Sequence, residues 1–463
     1  MILAALIFYI LLQLGIALWA SRRMSTHTDY LVAGRRLGFW AVGISVFATW
    51  FGGETLMGST ATIADEGLAG ARAEPVGYAI CLILAALLVA GQLREKGYLT
   101  LADFFRDRFG PRAEIASACV SIPTSIIWAA AQLLALASII AVASDVPAGW
   151  ALVGASALVI AYTLLGGLLG DVVTDILQSG VVLAGLIVLT FALFSRAGGF
   201  AGAMDLIDPS QLVLIAPGES WLERLDAFAI PILGSIVAQE MIARFLGSKS
   251  AKIAVRGGLM AGGLYLVVGF FPVLFGLVGP GLGFDPAAGD LFLPNLAMDL
   301  LPSALFVVFA GALFSAVLST VDSALLAVSG LATENLYSRL RTSAGPGEKL
   351  LAARGFTVVA GVMAYVVATT GETIYGLVEL ASSLGSAGLL VSLLIGIRSR
   401  FGGEWSALAA LACGLIAIWL GDFVFEIPAA FLFSILAALA GYAAAGLLFT
   451  GSVGRRHRNS HER

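Results

Sequence analysis

The chain has 463 residues, of which 59% are hydrophobic and only 12% charged, with a formal net charge of -4. A soluble domain carries roughly twice that charged fraction, so the composition excludes an ordinary soluble enzyme or binding module, and so small a net charge points to no nucleic acid or acidic partner. The apolar residues gather into runs long enough to cross a hydrocarbon core, which takes about 20 helical residues.

In chain order, thirteen candidate spans lie near residues 1–20, 38–60, 75–93, 113–143, 148–166, 175–195, 226–246, 257–280, 303–333, 351–370, 373–397, 404–422 and 427–449. The first has no basic residue ahead of it and Arg22 and Arg23 behind it, the reverse of a cleavable signal. It is expected to stay in the membrane with the N-terminus outside. If every span crosses once, 23 of the 26 basic residues fall on one side, leaving only Arg72, Arg196 and Arg224 on the other. Such an asymmetry is what the positive-inside rule requires, and it places the C-terminus in the cytoplasm. Residues 1–450 then form one transmembrane domain, and 451–463 a short polar cytoplasmic tail with no fused domain expected.

Cys81, Cys119 and Cys413 sit singly in apolar runs at no metal or redox spacing, and read as buried small hydrophobes. His27, His457 and His461 lie in polar flanks, which argues against a histidine metal site or proton relay within the membrane.

The second span contains Gly52 and Gly53 followed by Glu54 near mid-membrane. Paired glycines weaken a helix, and freed backbone at that depth persists only where protein or a water-filled cavity satisfies it. A close-packed glycine face would explain the pair alone; the adjoining acid points to a functional site. The seventh span repeats the theme with Pro231 and Gly234 ahead of Gln239 and Glu240. Five spans run from the second to the sixth, and the seventh opens five more of opposite direction. Interrupted helices at matching places in opposed halves mark the binding site of an inverted-repeat transporter.

The ninth span places Ala316, Ser319 and Ser323 on one helical face with Thr320 beside them. Such hydroxyls either bond the carbonyl four residues back and pack between helices or, with unwound carbonyls, supply oxygens to a small hard cation. Asp322 favours the second reading, unless it is simply hydrogen-bonded near the cytoplasmic side.

These residues together resemble the sodium/solute symporter family, whose members carry proline, pantothenate, sugars, sialic acid or choline. The resemblance runs through Asp29 to Gly38, the Ala-Thr-Trp-Phe-Gly-Gly-Glu stretch from Ala48 to Glu54, Gly166 to Gln178, Gln239 to Arg244 with the basic stretch to Lys252, and Ser319 to Ser323. It implies an all-α integral membrane protein of about thirteen transmembrane helices, with a five-plus-five inverted-repeat, LeuT-like core. The repeats would occupy 38–195 and 226–397, and the helices at 1–20, 404–422 and 427–449 would be peripheral. It further implies sodium as the coupling ion, no other cofactor, and a site formed by the carbonyls of Ala48, Phe51 and Ala316 with the hydroxyls of Ser319 and Thr320. Asp175 would orient that site or form the ion's exit path, and Arg35 would stand at the cytoplasmic mouth. Asp171, where relatives have a small residue, is expected as a solvated charge in the loop after Gly166 and Gly167. Trp50, Glu54, Thr55 and Gln239 are the candidate solute contacts.

The expected function is sodium-coupled import of a small organic solute, of amino acid, carboxylate, sugar or amine type, across the plasma (inner) membrane. A proton-coupled or exchange carrier and a transporter-like sensor remain as alternatives; the oxygen cluster favours sodium over protons. The expected partners are solute, sodium and the lipid bilayer, with no obligatory protein partner. No nucleophile-and-base constellation suggests an enzyme.

Overall fold

The computed structural model describes residues 15, 16, 18, 27–70, 74–144, 146–371 and 373–458. Among them, the only pairing of extended backbone is one isolated parallel bridge between Leu37 and Ser248. Everything else regular is helical, as a bilayer demands of a spanning chain that must satisfy its own backbone.

The expected span at 38–60 is two short helices, α1 (Phe39–Trp50) and α2 (Ser59–Glu66). Nine described helices are long and apolar enough to cross a membrane, or up to eleven spans if each of two bent pairs counts as one. In chain order they are α3 (Val76–Lys96), α5 (Pro111–Ala143), α6 (Ala148–Leu165), α7 (Gly167–Ala197), the pair α8 (Trp221–Val237) and α9 (Gln239–Leu246), α10 (Ala251–Val278), α11 (Ser303–Leu340), α12 (Pro346–Ala368), the pair α13 (Ile374–Ser383) and α14 (Ser386–Arg398), α15 (Glu404–Phe423) and α16 (Ala430–Phe449). An amphipathic helix between α3 and α5, α4 (Leu101–Arg108), opens on a Thr100–Asp103 capping box. The expected span at 1–20, with Arg22 and Arg23 behind it, lies outside the described residues apart from Gly15, Ile16 and Leu18, and Arg72 also lies outside. The count of thirteen therefore stays an expectation.

α11 forms the centre: 78% of its most apolar stretch is buried, against 28–39% for α12, α15 and α16. It packs along α5 and α7, while α1 packs against α10 and α7. Small residues on these faces let the backbones approach, which is how helices associate where lipid removes the hydrophobic drive.

Both expected interruptions are present. α1 ends at Phe51, whose φ of -88° and ψ of 64° leave the helical region, and a wider turn of π-helical geometry (Glu54–Gly58) leads into α2. A Cβ on Gly52 would lie 2.8 Å from the Gln132 Oε1 and the Thr320 Oγ1, and one on Gly53 would lie 2.4 Å from the Ala135 Cβ. The glycine pair thus both opens the helix and lets it touch α5 and α11. In the seventh span the break falls at Gly234–Ala238, with a bend of 44°.

The third interruption is not expected from sequence: α13 and α14 bend by 44° where Leu384 leaves the helix and Gly385 takes φ +75°. The sixth span also differs. Gly167, at φ 51° and ψ 178°, turns the chain sharply and the helix resumes at once, so the expected loop shrinks to that turn.

Candidate functional site

The break in the second span faces the middle of α11. The Thr320 hydroxyl donates to the Ala316 carbonyl at 3.1 Å and to the Ala48 carbonyl at 3.4 Å. The first is a bond to the carbonyl four residues back on the same helix, and the second brings the carbonyl of the broken span to the same hydroxyl, so three oxygens converge at the break. Phe51 sits where the helix opens. Ser319, one residue before Thr320, donates to the Asp175 Oδ1.

Asp175 belongs to a wider buried network. Ser45 of α1 donates to its other oxygen, and the Arg244 guanidinium of α9 reaches Ser45 Oγ at 2.8 Å, Ser323 Oγ at 2.5 Å, Asp171 Oδ2 at 2.6 Å and Asp175 Oδ2 at 3.5 Å. The Ser323 hydroxyl donates to Asp171 at 2.9 Å. Asp171 is fully buried, not a solvated loop charge. The reason is geometric: with the helix restarting at Gly167, Asp171 and Asp175 stand one turn apart on the same face and both meet Arg244. Arg244 likewise belongs in the core and not with the exposed basic loops. Four elements, α1, α7, α9 and α11, are tied through this one guanidinium.

On the other side of the break, Glu54 is fully buried. Gln132 of α5 donates to its Oε2 at 2.6 Å and accepts from the Gly53 N–H at 2.8 Å, bridging the opened backbone and the acid. The Glu54 Oε1 has no hydrogen-bond partner, nor have the indole nitrogens of Trp50 and Trp128, whose rings lie 5.2 Å apart. Thr55 contacts the Tyr265 hydroxyl at 2.5 Å and donates to Glu74 at 3.3 Å, while Tyr265 donates to the same carboxylate at 3.0 Å.

Other candidates stand apart. Gln239 accepts from the Leu101 N–H at 2.8 Å, tying α9 to the start of α4, and makes no hydrogen bond to Glu54. Arg35, at φ 59°, donates to the Gly97 carbonyl and bonds to none of the ion-site candidates. Asp322 is buried, with the Thr163 hydroxyl as the hydrogen-bonding side chain beside its carboxylate.

The profile of the sodium:solute symporter family matches residues 30–420. This chain belongs to that family. The symporter is 30% identical over 441 residues to the high affinity choline transporter 1 of Homo sapiens, covering 89% of this chain and 75% of that one. It is 26% identical over 469 residues to the sodium/glucose cotransporter 2 of Rattus norvegicus, covering 88% and 70%. Among solved structures it shares the fold of a Na+-coupled sialic acid symporter, described as substrate-bound and outward-open, with a TM-score of 0.79 at 20% identity over 97% of this chain and 98% of that one. A nucleobase-cation-symport-1 family transporter, MHP1, gives 0.61 at 14% identity over 90% and 93%. The protein is therefore a multi-pass membrane transporter of the sodium-coupled solute type.

Within the symporter, sequence reasoning missed Gln132, Trp128, Tyr265 and Glu74. Gln132 carried a usable signal, being a lone amide in the long apolar run from Ser125 to Val142, where a polar group needs a purpose. Tyr265 and Glu74 carried none, because only the approach of α10 to the second span brings them together.

Proposed function

We propose that this symporter couples inward sodium movement to the import of a small organic cation of the amine type. Glu54 carries the reading: a fully buried carboxylate with one oxygen left free, directly after the glycine break. An unpaired buried charge is costly, and a cationic solute relieves it. The paired indoles of Trp50 and Trp128 add ring faces that attract a cation. A cavity of about 560 Å³, where α2, α8, α13, α15 and α16 meet, is lined by Glu66, Glu219, Glu223, Asp226, Glu379 and Asp422 against the single cation Arg224, and such a lining raises the local concentration of a cation. The choline transporters among the relatives fit the same reading.

Sodium would be held by the carbonyls of Ala48, Phe51 and Ala316 and the hydroxyls of Ser319 and Thr320, with Asp175 positioning Ser319. The spans within 38–195 and 226–397 would be the opposed halves that alternate access, Thr55 a solute contact beside Glu54, and the basic side with Arg35 and the C-terminus the cytoplasmic one. A second reading, a neutral polyol, draws on the hydroxyls of Ser121, Thr124, Ser125, Ser235, Ser382 and Ser386 clustered beside Trp128 and Gln239.

A tenfold sodium gradient supplies about 1.4 kcal/mol, and 100 mV adds about 2.3 kcal/mol per charge moved. A cationic solute entering with one sodium moves two charges, so its uptake steepens with membrane potential more than that of a neutral solute. The test is uptake into proteoliposomes under imposed sodium or proton gradients, comparing a quaternary amine, an amino acid, a sugar and a carboxylate. Sodium-driven, potential-dependent amine uptake is the expected result. Uptake that follows protons and ignores sodium overturns the coupling; preference for the sugar overturns the solute class.

A further inference from the structure

At the end of the molecule opposite the acidic cavity, a second cavity of about 520 Å³ lies between the end of α3, the helix α4 and the end of α14. Its charged lining is Lys96, Arg108, Arg398 and Arg400 against the single acid Asp107. Asp107 is already engaged, 3.6 Å from the Lys96 Nζ and accepting from the Tyr98 hydroxyl at 2.6 Å. The Tyr98 phenol, pushed up from its ordinary value by burial and by that hydrogen bond to Asp107, stays protonated and adds no negative charge.

Arg108 spends its N–H groups on neutral acceptors, the carbonyls of Gly396, Ser399, Phe401 and Gly402 at 2.9–3.3 Å. It therefore fixes the chain after α14 in place while its own charge stays uncancelled. Arg398 and Arg400 are exposed and have no carboxylate partner among the described residues. Three positive charges without a carboxylate partner thus line one concavity.

Its depth in the bilayer follows from its neighbours. Phe401 and Trp405 are 39% and 49% exposed at the start of α15, with Trp405 stacked on Phe449 at 5.7 Å and the Arg112 guanidinium over the Trp405 ring. Exposed aromatic rings where an apolar helix surface meets basic residues mark the headgroup level of a membrane. Basic pockets between helices at that level suit anionic headgroups.

We propose that this cavity binds the phosphate of an anionic phospholipid headgroup from the surrounding leaflet. Arg398 and Arg400 contact the phosphate, and Arg108 holds the loop that presents them. The full chain, purified and equilibrated with phosphatidylcholine, is titrated with short-chain phosphatidylglycerol, and bound lipid is measured by native mass spectrometry. One phosphatidylglycerol is expected to be retained, with affinity falling roughly 25-fold in Arg398→Gln/Arg400→Gln, about fivefold for each charge. Lys252→Gln, an exposed basic position outside the cavity, leaves binding unchanged, and Arg398→Lys/Arg400→Lys retains most of it, which separates lost charge from lost folding. Wild-type affinity in the glutamine double variant, an equal loss in Lys252→Gln, or displacement of the lipid by phosphatidylcholine or by inorganic phosphate alone would overturn the proposal.

Discussion

The two sides of the break in the second span differ in how their polar atoms are satisfied. Toward α7 and α9, the Arg244 guanidinium, Ser45, Ser323 and the Asp175 carboxylate satisfy one another, although the Asp171 Oδ1, the Glu240 Oε1 and the Gln178 amide on the same helices have no partner. Toward α5, the Glu54 Oε1 and two indole N–H groups have no partner. Arg244 ties four helices together on one side, whereas the proposed solute contacts lie on the other, so the proposal divides structure from recognition across one glycine pair.

The largest effect that bears on this contrast is removal of Arg244. Arg244→Met leaves Asp171 and Asp175 buried without their cation, and breaking a buried pair from one side costs about 3–5 kcal/mol. Thermal unfolding in detergent should show that loss, with Asp171→Asn in the same chain restoring much of it. If Arg244→Met melts like the wild type, the network is not what holds α9.

On the open side, Glu54→Gln is expected to leave the melting temperature unchanged or slightly raised, because it removes a buried charge that lacks a full set of partners. Cationic solute binding should weaken at least tenfold, on the scale of a charged hydrogen bond of about 1.5–3 kcal/mol. The concentration of sodium needed for uptake should not move. Equal losses for solute and sodium would dissolve the division between the two sides.

Thr320→Ala removes one oxygen from the convergence with Ala48 and Ala316 without adding bulk. The sodium concentration for half-maximal uptake should rise about tenfold, equivalent to about 1.4 kcal/mol, while solute selectivity is kept. Smallest is Asp171→Asn alone: Asp175 still balances Arg244, so unfolding should shift by only about 1 kcal/mol.

Much of this fold could be read before any coordinates, because a bilayer leaves few options to a chain of this composition. Gly52 and Gly53 beside Glu54, and the breakers at Pro231 and Gly234, marked the two interrupted spans correctly. The bend at Leu384–Gly385 was not legible: Gly385 stands among the small residues Ser382, Ser383, Ser386 and Gly388, which also suit close packing between continuous membrane helices, and only its positive φ makes it a break. Asp171 was misread for a related reason. Two glycines ahead of an acid look like a wet loop, yet one left-handed turn at Gly167 put the acid on a buried helical face. The partners of Thr320 and Glu54 come from spans far apart in the chain, so a sequence can propose each group but not their meeting.

Gly234 has one more implication. A Cβ there would lie 2.2 Å from the carbonyl oxygen of Ser382, so the break in the seventh span rests directly on the backbone just ahead of the break in the eleventh. Two irregular segments in van der Waals register behave as one bearing surface, and neither can swing without sliding over the other. In a saturation library, position 234 should accept almost nothing but glycine, even though it makes no side-chain contact with the proposed ion or solute.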